Sequence, residues 1–138
     1  MIGIVIVAHG GLAQEYLLAM EHVVGKHPGT RAISIDANDS CSTKQAEVDA
    51  AVASVDEGQG VVVVTDMYGS TPSNLAMGAC RKRPNRRILY GANLPLLVKL
   101  AKARHKPLND AVASALTAGR KYINCVDGLG VNGMPVAL

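Results

Sequence analysis

Tryptophan and phenylalanine are absent from the 138 residues, and tyrosine occurs only four times. The core must therefore be filled by Val, Ile, Leu and Ala, and a site that stacks a flavin ring lacks its usual platforms. Cysteine is scarce as well. Cys41, Cys80 and Cys125 are odd in number, widely spaced and form no CxxC pair. That pattern argues against a disulfide framework or a structural zinc and fits reduced thiols. Nor is there an excess of charge of one sign: a net +3 falls far short of the basic balance of a nucleic-acid binder, so no nucleic-acid partner is expected. The N-terminal apolar run is too short to cross a bilayer, contains a histidine and has no basic flank. We expect no signal peptide and no membrane insertion, hence a cytoplasmic protein. Internal repeats, linkers and low-complexity stretches are missing too, and the length suits one domain over residues 1–138.

What is present begins with Ile2 to Ala8, a nearly unbroken β-branched run that ends in His9, Gly10 and Gly11. Such a run reads as a strand buried on both faces, the kind found in parallel sheets covered by helices. Residues 12–25 form a helix with Leu12, Tyr16, Met20, Val23 and Val24 on its apolar stripe, closed by Gly25. Residues 31–36 read as a second strand, and Ser42 or Thr43 caps a helix that runs to about Val55, with Lys44, Glu47 and Asp49 on its wet side. The valines of 61–65 make a central strand. Thr71 followed by Pro72 is a helix start, with the hydroxyl at the N-cap and the proline at the first helical position. A fourth strand over 86–90, helices over 94–103 and 108–119, and a fifth strand over 122–126 complete the pattern, with a Gly-rich tail over 127–138. The expected fold is α/β: a flavodoxin-like, doubly wound, mostly parallel five-stranded sheet with helices on both faces.

In that class the first and third strands lie side by side, and chemistry sits outside the carboxyl ends of the strands. His9 ends the first strand and Asp66 follows the third. A carboxylate that accepts one ring N–H fixes the tautomer and frees the other nitrogen as a nucleophile or base. The bland alternative is a histidine that caps a turn. Asp66 is expected at a solvent-reachable edge. The turn over 69–74 offers a helix N-terminus, an anion site: the amides of Gly69, Ser70, Thr71 and Ser73 and the hydroxyls of Ser70 and Thr71 are the candidates to hold a phosphoryl group. Asp36 and Asp39 raise a metal reading, but the first strand supplies no third acid, so no metal is assigned. His22 reads as solvated, His27 as a loop residue, Arg104, His105 and Lys106 as a cationic helix end, and the basic run from Arg81 to Arg87 as a face at the opposite edge of the sheet.

The segments over 1–11, 66–74 (Asp-Met-Tyr-Gly-Ser-Thr-Pro-Ser-Asn) and 91–97 (Gly-Ala-Asn-Leu-Pro-Leu-Leu) resemble the enzyme IIA domain of the mannose family of the bacterial phosphoenolpyruvate-dependent sugar phosphotransferase system. The resemblance covers nearly the whole chain. It implies that His9 takes a phosphoryl group from the phosphocarrier HPr and passes it to a IIB partner, with no metal or small cofactor. Asp66 would orient and stabilise the ring, and the turn at Ser70 and Thr71 would hold the phosphoryl oxygens. It also implies a homodimer that exchanges an antiparallel last strand.

Family members often carry glycine where this chain has Ser70, which leaves that hydroxyl's part open. Some continue into a IIB domain, whereas this sequence ends at Leu138, so the acceptor is expected on another chain, or the phosphorylation state itself acts as a regulatory signal. The phosphocarrier subunit of a dihydroxyacetone kinase shares the fold and the N-terminal histidine and is the runner-up. From another class, a flavodoxin-like ligand-binding module would want a hydroxyl-rich loop after the first strand, where this chain has Gly10, Gly11 and Leu12.

Overall fold

The computed structural model describes residues 1–128. Strand β1 (Gly3–His9) is the axis of the molecule, and every residue of it except His9 is buried. It is followed by α1 (Leu12–Val24), β2 (Thr30–Ile35), α2 (Cys41–Ser54), β3 (Val61–Thr65), α3 (Thr71–Cys80), β4 (Arg86–Leu89), α4 (Leu94–Lys102) and α5 (Leu108–Lys121). The sheet order is β2-β1-β3-β4 and every pairing is parallel.

Two-residue alternation splits the sheet's side chains between two helical layers. Ile4, Ile6, Ala8, Val62 and Val64 face α1, α4 and α5, where they meet Met20, Leu97 and Leu100. Val5, Val7, Val61 and Val63 face α2 and α3, against Val48, Val52 and Ala76. Both faces of β1 are therefore dry, as its unbroken apolar run requires. Full burial of each such aliphatic side chain contributes about 1.5–3 kcal/mol. Packing leaves no room at Gly3, where an added Cβ would run into the backbone oxygen and side chain of Val55. We expect Gly3→Ala to lower stability by about 1–3 kcal/mol, as overpacking does, and a urea melt compared with wild type checks it.

Several expectations need correction. Among the described residues the sheet has four strands, all parallel, and residues 122–126 pair with none of them. A strand exists only through its ladder, and apolar alternation alone does not provide a partner. The tail expected over 127–138 lies mostly outside the described residues. On α1 the core face contains Ala13, Tyr16, Leu17, Met20 and Val24, whereas Leu12 and Val23 are about half exposed. The stripe is registered on small Ala13, one position later than the bulkier Leu12.

Helix starts also move. Ser40, not Ser42 or Thr43, caps α2, accepting from the Thr43 amide at 3.5 Å. Ser70, not Thr71, occupies the N-cap of α3. Arg104 is no solvated cation: it is 5 % exposed, with Nε donating to the Ile2 carbonyl at 2.7 Å and Nη2 to that of Gly29 at 3.1 Å. It ties the start of β1 to the start of β2, far from His9.

Candidate functional site

His9 and Asp66 meet because β1 and β3 are parallel neighbours. The ladder pairs Val7 with Thr65, which carries both chain ends to the same edge. One carboxylate oxygen, Asp66 Oδ2, accepts twice from His9: from the backbone N–H at 3.0 Å and from Nδ1–H at 2.7 Å. The other, Oδ1, is enclosed and meets no donor. The carboxylate's charge is thus directed chiefly onto His9.

Burial by itself would raise the Asp66 pKa, but the backbone N–H of His9, its ring N–H and its charge more than offset that and hold the carboxyl below its ordinary value. Asp66 is less solvent-reachable than its loop position implies, with its side chain 11 % exposed, while the imidazole in front of it is 48 % exposed. With Nδ1–H spent on the carboxylate, Nε2 carries the free lone pair.

Gly10 and Gly69 shape the two loops around the ring. Their φ angles of 52° and 80° are left-handed, and a Cβ at either would meet nothing within 4 Å. Glycine is required there for the turn, and the space beside it stays open. A third loop is fixed by the Ala92 N–H donating to the Thr65 carbonyl at 3.0 Å and by the Tyr16 hydroxyl donating to the Ala92 carbonyl at 3.2 Å. Asn93 caps α4, accepting from the Leu96 amide at 3.0 Å. Tyr68 packs edge-to-face on Tyr90, with ring centroids 4.9 Å apart.

The candidate phosphoryl turn resolves into distinct parts. The Ser70 hydroxyl, whose part was open, donates to the Met67 carbonyl at 2.6 Å, and buried Ser73 donates to the Ser70 carbonyl at 2.9 Å. Both hydroxyls are spent on the loop's own backbone. The first-turn amides of α3, those of Thr71 and Ser73, have no acceptor upstream in the helix, as at any helix start. Thr71 is exposed and lines a pocket of about 300 Å³ together with His9, Asp36, Asp39, Ser40 and Lys44.

Asp39 is not poised for a cation, since Oδ2 accepts from the Asp36 amide at 2.7 Å and lies 3.9 Å from Lys44 Nζ. Among the described residues no three or more His, Cys, Asp or Glu side chains converge as metal ligands do. The residue that the sequence reading misplaced is Lys44, assigned to the wet side of α2. A usable signal existed: α2 begins at the same sheet edge as His9, and Lys44 falls in its first turn.

Residues 3–117 match the sequence model of the PTS system fructose IIA component, EIIA-man. The chain belongs to this family of phosphotransferase-system IIA components. It is 27 % identical over 127 residues to the PTS system mannose-specific EIIAB component of Escherichia coli, a match covering 91 % of this chain and 39 % of that protein. The chain thus spans about two fifths of the length of the curated relatives it matches first.

Among solved structures it resembles the mannose/sorbose-specific IIA subunit from Enterococcus faecalis, with a TM-score of 0.82, 25 % identity and coverage of 94 % and 98 % of the two chains. It also resembles the PTS IIA protein associated with the fucose utilization operon from Streptococcus pneumoniae, with a TM-score of 0.74, 27 % identity and coverage of 83 % and 88 %. Of the readings that the residues left open, the mannose-type IIA component is the one these matches name. No helix among the described residues of this IIA component is long and apolar enough to cross a membrane.

Proposed function

We propose that this IIA component is a phosphoryl carrier working through a phosphohistidine at His9, in the cytoplasm, with HPr as donor and a IIB component as acceptor. One observation carries the reading: the 2.7 Å contact of Nδ1 with Asp66, which leaves Nε2 as the lone-pair nitrogen of a half-exposed ring. Transfer forms a bond from Nε2 to phosphorus as the donor's own phosphorus–nitrogen bond breaks, and the electron pair returns to the donor ring. No proton need move, because Nδ1 keeps its hydrogen throughout. The ring becomes cationic, and the Asp66 carboxylate stabilises that charge. The open amides of Thr71 and Ser73, the Gly69 and Ser70 backbone and the Thr71 hydroxyl receive the phosphoryl oxygens at the α3 N-terminus. The Ser70 and Ser73 hydroxyls instead hold the loop in shape.

Incubation with phosphoenolpyruvate, enzyme I and HPr tests the reading. We expect one acid-labile, alkali-stable phosphoryl group per chain. A protein that takes up none would refute the carrier role.

The active unit in this reading is a homodimer. Tyr122 and Ile123 follow α5 as side chains 64 % and 71 % exposed among the described residues. Antiparallel addition of residues 122–126 to the partner's sheet would bury them and protect an open edge. Light scattering should give a dimer mass for the full chain and a monomer mass after deletion from Ile123 onward. A truncated protein that stays dimeric would rule out the exchanged strand.

A further inference from the structure

The pocket beside His9 is rich in acid and poor in base. Asp36 and Asp39 line it, Asp66 stands behind the imidazole, and Lys44 is the sole lysine or arginine among the lining residues. A phosphoryl group on Nε2 would add nearly two negative charges to this setting. Neither the Ser70 nor the Ser73 hydroxyl is free to meet it. Helix amides bring only partial positive charge. A full cation is needed, and one is in place.

Lys44 sits in the first turn of α2, its amide donating to the Ser40 carbonyl at 3.0 Å. Its side chain is 20 % exposed and lies between two acids, with Nζ 3.0 Å from Glu47 Oε2 and 3.9 Å from Asp39 Oδ2. The Glu47 hydrogen bond raises its pKa, partial burial opposes this, and the charges of Glu47, Asp39 and Asp36 add to the rise, so the ammonium stays charged. Neither ion pair is deeply buried, and such pairs exchange partners at little cost.

We propose that Lys44 is the counter-ion of the phosphorylated state, its ammonium leaving Glu47 and Asp39 to meet the phosphoryl oxygens once His9 carries them. This rests on the phosphohistidine reading above. Lys44 keeps its proton, and the only bonds exchanged are those from phosphorus to the two imidazole nitrogens. Its contribution is to the stability of the phosphorylated form, which distinguishes it from a residue that merely attracts the donor protein.

The decisive quantity is the equilibrium constant for phosphoryl exchange with HPr, read from label partition or from the phosphorus resonances of the two phosphohistidines. Lys44→Gln should shift it toward phospho-HPr by about tenfold, the lower end of what a hydrogen bond to a charged group supplies, since the contact with Glu47 is given up to make it. Lys44→Arg should restore most of the wild-type value. Glu47→Gln should shift the constant the other way, because it releases the lysine from its competitor.

An equilibrium constant unchanged in both Lys44→Gln and Glu47→Gln would overturn the proposal. So would a change confined to the forward and reverse rates in equal measure, which would assign Lys44 to encounter with HPr. Wild-type protein that accepts no label would overturn the phosphohistidine reading first and this inference with it, so the two failures are distinguishable.

Discussion

We expect His9→Ala protein to take up no acid-labile phosphate from phospho-HPr, while its circular dichroism stays close to wild type. The loss should be complete, because no second imidazole shares the geometry. His22 and His27 are exposed at the far end of α1 and in the loop after it, where His27 Nε2 lies 3.0 Å from the Val24 carbonyl. His105 is exposed in the connection between α4 and α5, next to Arg104, which anchors the start of β1 rather than its end. None has a carboxylate on its ring.

The fold tolerates the change for a structural reason. β1 is held by ladders on both sides, and the backbone N–H of residue 9 still donates to Asp66. Label that persisted in His9→Ala would place the nucleophile elsewhere and undo the assignment.

Asp66→Asn should slow transfer from phospho-HPr by about ten- to a hundredfold. The variant loses the negative partner of a cationic phosphoimidazole, and a hydrogen bond to a charged group is worth about 1.5–3 kcal/mol. The geometry also predicts a cost to the fold, which a loop-edge acid would not show. Asparagine must keep its oxygen where Oδ2 now accepts two N–H groups. Its amide nitrogen then takes the place of enclosed Oδ1, where its N–H groups are shut away from water. An unsatisfied buried donor costs about 1–3 kcal/mol.

The deficit should depend on pH. Because folding holds the Asp66 carboxyl below its ordinary value, the wild type gains stability above the unfolded carboxylate range near ~4 and loses it as pH falls through the lower folded value. Melting curves of the two proteins should therefore converge in acid and separate toward neutral pH. Rapid-quench transfer measures the other half. Wild-type transfer rates in Asp66→Asn would show that His9 needs no orienting carboxylate.

The parts of this protein legible in its sequence are those decided by near neighbours in the chain. The run from Ile2 to Ala8 and the valines of 61–64 could be only doubly buried strands, and a parallel sheet built on them puts His9 beside Asp66. Glycines at 10 and 69 mark the turns because left-handed backbone excludes most other residues. Helix positions were legible to within a residue or two, and their caps were not, since Ser40, Ser42 and Thr43 offer equivalent hydroxyls and only the path of the chain selects Ser40.

Tertiary structure alone decided the partners. Whether a Ser70 hydroxyl faces a ligand or the Met67 carbonyl depends on a loop closing to within 2.6 Å. Whether Arg104 is a surface cation or a buried tie depends on two carbonyls contributed by residues 102 and 75 positions away. Lys44 enters the His9 pocket because the first turn of α2 lies across that sheet edge, a placement that no periodicity in residues 41–54 encodes. For residues 122–126 even the element type waits on what lies alongside, because a strand's backbone groups are satisfied only by another strand. Local pattern fixes which face of an element is dry; hydrogen-bond and charge partners come from long-range approach, where one ångström separates a bond from none.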